Sequence, residues 1–306
     1  MTQEILDINT KIEQEINNII KKDNKIIKKI LIFSGGGVKG IAYFGVLKAL
    51  DELGILKNIE TIATTSVGAM VATLYLFGYS IIELEEFYKL FEFKNLTIID
   101  ELCLDNFANL IERFGLDDGK NIIKVISKLA EGKKLNKDIT FLELYKHCGK
   151  KLIMATTNLT DNKIEYLSYE THPNLKITDG IRMTTCVPLY YEPVILNNKM
   201  YVDGGCIDNY PIGLFKDKLE EVIGFYLNFN PKKEEIKNIK DFLSNIMTVL
   251  SKNMNNKILN GWENYTINII TDITNILKFN ISIEDKIKLF NNGYETTLKN
   301  KNKIFI

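Results

Sequence analysis

The chain has 306 residues, 45% of them hydrophobic and 25% charged, a composition that excludes a disordered polymer. Lys+Arg and Asp+Glu both number 39, so the formal net charge is zero. A molecule-wide basic field for nucleic acid is thereby excluded, although a local patch is not. The length allows one large α/β domain or two smaller ones. Arg113 and Arg182 are the only arginines, so bidentate arginine recognition of carboxylate or phosphate is nearly absent. Cys103, Cys148, Cys186 and Cys206 are widely spaced, which argues against a zinc or redox motif. Glu4 and Asp7 argue against a signal peptide, and the apolar run Val67 to Phe77 is too short to span a bilayer. The expectation is an intracellular protein with reduced thiols, soluble or peripherally attached to a membrane.

In chain order, Ile5, Ile8, Ile12, Ile16 and Ile19 predict an amphipathic helix within residues 1–27, packed on the domain surface or lying on lipid. Lys25 to Ser34 reads as a strand, followed by Gly35-Gly36-Gly37 and a helix bearing Ile41, Phe44, Leu47 and Leu50 on one face. Thr61 to Thr65 reads as a short β-branched strand, with Ser66 and an apolar helix after it. This alternation predicts a parallel sheet covered on both faces. Residues 81–129 read as helical. Lys151 to Thr157 pairs with Lys163 to Leu167 around Asp161-Asn162, and Tyr190 to Leu196 pairs with Met200 to Val202 around Asn197-Asn198. Glu221 to Asn228 reads as the last core strand. From residue 231 onward Phe242, Ile246, Leu250, Ile267, Ile270, Ile273 and Leu277 predict a helical extension.

Three features carry chemistry. Gly35-Gly36-Gly37-Val38-Lys39-Gly40 opens a helix directly after a strand, so its N–H groups can converge on an anion, either a phosphate or the oxyanion of acyl transfer. A P-loop would need Ser or Thr after Gly-Lys, and here Lys39 precedes Gly40. A dinucleotide site would need an acidic residue ending the second strand, where Ser66 stands instead. Ser66, followed by Gly68 and Ala69, suits a nucleophile elbow and equally suits a helix N-cap. Thr64 stands where G-x-S-x-G has its first glycine. Asp203-Gly204-Gly205 follows a strand and reads as a catalytic carboxylate or as a plain Asp-Gly turn, with Asp208 close by. His147 sits in a helical stretch and His172 in a polar loop, neither placed as a hydrolase base. If Ser66 is a nucleophile, a carboxylate must activate it, and Asp203 is the best-placed one.

In this order and context the three motifs resemble those of the patatin-like phospholipases, over about residues 28–230. Leu152 to Thr160 and Gly180 to Val194 look similar as well. The resemblance implies a three-layer α/β/α fold with a mostly parallel sheet, and lipid acyl hydrolysis by a Ser66–Asp203 dyad. It implies oxyanion N–H groups from Gly36, Gly37 and Val38. Lys39 occupies a position where the family commonly has Arg or Lys, suited to a phosphate headgroup or simply solvated. The implied partner is a phospholipid or other acyl-ester lipid, met at a membrane surface. No nucleic acid, metal or cofactor is implied. Thr64 departs from the motif. Either it crowds the elbow, or its hydroxyl finds a local partner. The competing expectation is a patatin-like protein that binds lipid without turnover.

Overall fold

The computed structural model describes residues 27–99, 104–229, 236–237, 241–242, 245–246, 249, 261–272 and 275–305. The amphipathic stretch expected within residues 1–27 lies outside these, except for residue 27.

The strands are β1 (Ile30–Phe33), β2 (Thr61–Thr65), β3 (Gly115–Asp117), β4 (Lys151–Asn158), β5 (Lys163–Leu167), β6 (Leu189–Tyr191), β7 (Val194–Leu196), β8 (Lys199–Asp203), β9 (Val222–Phe229) and β10 (Thr266–Thr271). Eight of them form one sheet in the order β10-β9-β1-β2-β4-β8-β7, with β5 on the other edge of β4. Strands β10, β9, β1, β2 and β4 run parallel, whereas β5 and β8 oppose β4. The protein is thus a mixed α/β fold on a central, mostly parallel sheet. β1 is continuously apolar because both of its faces are covered. Leu31 and Phe33 enter the larger core, and Ile30 and Ile32 the smaller one.

The larger core lies under α1 (Ala42–Glu52), α2 (Val67–Leu76), α3 (Ile81–Leu90), α5 (Lys120–Gly132), α6 (Phe141–Cys148) and α7 (Ile177–Thr184); α4 (Leu104–Arg113) precedes β3. The opposite face carries a thinner cover, the 3-10 run Pro211–Glu221 with Trp262 and Tyr265. α8 (Ile283–Lys299) buries Leu289 and Phe290 in the larger core, and the short α9 (Lys301–Ile304) buries Ile304 there.

Two expectations change. Ile267 and Ile270 do not lie on a helix. They belong to β10, whose burial alternates so that Ile267 and Ile269 are buried and Ile270 is exposed. Their spacing of three is a helical one, whereas Ile267 and Ile269 carry the alternation of a strand, and pairing with the edge of β9 selects the strand. The extension after residue 231 is therefore only partly helical. Likewise, Tyr190 to Leu196 is not one strand: β7 turns back on β8 through Asn197-Asn198, while β6 leaves to pair with β3.

Candidate active site

The glycine-rich loop and Ser66 leave the sheet at the carboxyl ends of adjacent parallel strands, β1 and β2. Asp203 reaches the same place from the opposite direction. β2 pairs with β4 over Lys151 to Ala155, and β8 pairs with the same edge of β4 over Thr156 to Asn158, because β5 occupies the other edge. β2 and β8 are therefore collinear and run toward each other, so that Ser66 and Asp203 meet where their carboxyl ends converge. Ser66 Oγ donates to Asp203 Oδ2 at 2.7 Å, and Asp203 Oδ1 accepts from the Gly205 N–H at 2.7 Å. The Asp203 side chain thus both closes the Asp-Gly-Gly turn and binds the serine hydroxyl.

Ser66 sits at the N-cap position of α2, but its side chain caps nothing. Its backbone has φ 53° and ψ −124°, a strained conformation for a residue with a side chain. The following helix must approach β1 closely. A Cβ on Gly68 would lie 2.8 Å from Phe33 Cβ and 2.9 Å from the Phe33 carbonyl oxygen, so only glycine fits there without displacement.

Thr64 is fully buried, and its hydroxyl donates to the Ile153 carbonyl of β4 at 2.9 Å. The departure from the motif is accommodated by a local partner. Asp208, the other nearby carboxylate, accepts from Tyr166 at 2.7 Å. His172 lies against Thr171 in a surface loop, and His147 is in the last turn of α6; neither lines the cavity at Ser66.

Burial raises the Asp203 carboxyl to about 6, opposed by the hydrogen bonds from Ser66 and Gly205. In the glycine-rich loop, Gly37 has φ +57°, and a Cβ there would lie 2.1 Å from the Ile276 carbonyl oxygen. The Val38 N–H donates to that same carbonyl at 3.2 Å, so in this arrangement it does not serve an oxyanion, contrary to expectation. The Lys39 N–H turns back to the Gly36 carbonyl. Among the described residues no backbone carbonyl accepts from Gly36 or Gly37, whose N–H groups remain candidates. Lys39 is buried, not solvated, and desolvation lowers its ammonium to about 8.

The loop, Ser66, Asp203 and Asn209 open onto a cavity of about 120 Å³. Its remaining walls are overwhelmingly apolar, among them Phe44, Met70, Leu74, Phe87, Phe91 and Val125. Sequence reasoning missed two polar residues that brace the site. The Asn209 carbonyl accepts from the Gly35 N–H at 3.1 Å, and Thr184 Oγ1 accepts from the Ser66 N–H at 2.9 Å. Asn209 lies four residues after the glycine pair and Thr184 ends a helix; no local signal marks either.

Residues 31–216 match the family model described as patatin-like phospholipase. The chain is 30% identical over 294 residues to uncharacterized protein R571 of Acanthamoeba polyphaga mimivirus, covering 92% of this chain and 96% of that one. It is 28% identical over 273 residues to the probable lipid hydrolase 463L of Invertebrate iridescent virus 6, covering 87% of each. The crystal structure of VipD from Legionella pneumophila superposes with a TM-score of 0.62 at 19% identity, over 89% of this chain and 66% of that one, a likeness of fold.

Proposed function

Because the chain belongs to the patatin-like phospholipase family, we propose that it is a serine-dependent lipid acyl hydrolase of phospholipase A or lysophospholipase type, working through Ser66 and Asp203. The observation that carries this reading is the 2.7 Å hydrogen bond between them at the wall of an apolar cavity. Asp203 takes the Ser66 hydroxyl proton as Oγ attacks the ester carbonyl. The N–H groups of Gly36 and Gly37 stabilise the oxyanion, an effect worth about 100- to 1000-fold in rate per donor. Collapse of the tetrahedral intermediate breaks the ester C–O bond, and the Asp203 carboxyl returns its proton to the leaving alcohol. Water, deprotonated by Asp203, then cleaves the acyl-enzyme. The apolar walls suit one acyl chain, each buried methylene contributing about 0.8 kcal/mol.

The substrate would be drawn from a lipid surface. Leu189 lies between the cavity-lining Val187 and Tyr191, and it faces Gly115 across the β3–β6 pair. Leu189 and Phe114 are both exposed, and both hold positive φ, at 66° and 61°. Bulky apolar side chains presented this way beside the cavity suit contact with acyl chains. Among the described residues no helix is long and apolar enough to cross a membrane.

The binding-without-turnover alternative rested on Thr64, whose hydroxyl points to Ile153 and which does not line the cavity. The deciding experiment combines a fluorophosphonate probe with an ester assay. Ser66 is expected to be labelled, and Ser66→Ala is expected to lose both labelling and turnover. An unlabelled parent protein that hydrolyses no ester would favour the binding protein.

A further inference from the structure

β2 ends with Thr65 opposite Ala155, and the chain then turns off the sheet. The Ser66 N–H does not reach a strand carbonyl. It donates to Thr184 Oγ1 at 2.9 Å, and the same hydroxyl donates to the Ala155 carbonyl at 2.6 Å. Thr184 is fully buried and thus stands between the elbow and β4, bridging a gap in the hydrogen-bond ladder. The neighbouring Thr185 shows the ordinary alternative, donating to Ile181 of its own helix at 2.8 Å. Two residues beyond Thr184, the Cys186 carbonyl accepts from the Asp203 N–H at 2.8 Å. One short segment at the carboxyl end of α7 therefore grips the backbone N–H of both Ser66 and Asp203.

We infer that Thr184 is a positioning residue, holding Ser66 in its strained conformation so that Oγ stays aimed at Asp203. The inference rests on the Ser66–Asp203 reading above. Thr184 does not line the cavity, so it acts through Ser66 and not on the substrate. Removing its hydroxyl leaves a buried N–H and a buried carbonyl unpaired and lets the elbow relax. A displacement near 1 Å at a reacting atom costs about 100-fold in rate.

The test is steady-state turnover of a soluble short-chain ester, with the rate of fluorophosphonate labelling alongside. Thr184→Val is expected to lower kcat by about 100-fold with KM changed less than about threefold, and labelling is expected to slow in proportion. Thr184→Cys keeps a weak donor and acceptor and covers the case in which the valine variant fails to fold; its kcat is expected to fall by about tenfold. Thr184→Ser is expected to restore kcat to within about threefold of the parent. Thr297→Val removes a comparable buried hydroxyl bond, to Gly293 in α8, and calibrates the purely structural cost, with kcat unchanged. Parental kcat in a folded Thr184→Val or Thr184→Cys, or a serine variant as slow as the valine one, overturns the inference. Ser66→Ala in the same assay separates the two failures. If it is inactive while the Thr184 variants are parental, only the role of Thr184 falls. If it is active, the dyad falls and this inference with it.

Discussion

Burial of Asp203 makes its carboxyl a stronger base and also makes its charge costly to hold. With the folded group at about 6, the rate of ester hydrolysis is expected to rise with pH through about 6 and then level, since only the carboxylate can take the serine proton. A rate independent of pH between 5 and 8 would overturn the role of Asp203 as base. The same shift bears on stability. An unfolded Asp titrates at about 3.9, so the raised value favours the protonated native state. That contribution is fully present below about pH 4 and is lost as pH rises through about 6, amounting at most to about 3 kcal/mol. Asp203→Asn is therefore expected to melt higher than the parent at pH 8 and no higher at pH 4, while losing activity. Thr64 belongs to the same scale. Thr64→Gly removes a buried hydrogen bond and a β-branched strand residue, so a loss of about 1–2 kcal/mol with no gain in turnover is expected from denaturation and ester assays. A faster glycine variant would restore the crowding reading.

Among the elements, the β3–β6 pair concentrates local strain beside the cavity, at Phe114 and Leu189. β6 carries Tyr191 in the cavity wall and the exposed Leu189 outside it: residues two apart share one face of a regular strand, and the φ of 66° at Leu189 breaks that regularity. Replacing Leu189 and Phe114 together by Asp is expected to lower hydrolysis of phospholipid vesicles at least about tenfold, because contact with the lipid surface is lost. Turnover of a soluble short-chain ester, which needs no such surface, is expected to stay close to that of the parent. Equal losses on both substrates would mean that the pair holds the cavity together and does not serve docking.

At the level of the whole molecule, the segments after residue 260 complete the fold. β10 extends the sheet beside β9, and α8 packs on α1 so closely that a Cβ on Gly293 would lie 1.9 Å from the Ala42 carbonyl oxygen. α1 begins directly after the glycine-rich loop, and Ile276, Leu277 and Phe279 of the same region line the cavity. Deleting residues 261–306 would expose the faces covered by Leu289 and Phe290, each worth roughly 1.5–3 kcal/mol of burial. The truncated chain is expected to lose its cooperative urea transition. A truncation product that keeps the parental midpoint would show that residues 1–260 fold without that segment.

Much of this protein was legible in its sequence because local signals were strong. Glycines after an apolar run, a serine after a β-branched strand and an aspartate before two glycines each specify a strand–turn geometry by backbone chemistry alone. Their order and context sufficed to name Ser66 and Asp203 and to expect the sheet. The chain did not reveal that β2 and β8 run head-on along one edge of β4, which is what brings the two side chains within a hydrogen bond. It did not distinguish β10 from a helix, since Ile267, Ile269 and Ile270 offer spacings of both two and three and only pairing with the edge of β9 selects the strand. Nor could it mark Thr184, or show that the Ile276 carbonyl takes the Val38 N–H, or that Lys39 is buried. Backbone preference acts between neighbours in sequence and is written residue by residue. The partner of a buried hydroxyl, N–H or ammonium is set by which distant segment packs against it, and only the tertiary structure decides that.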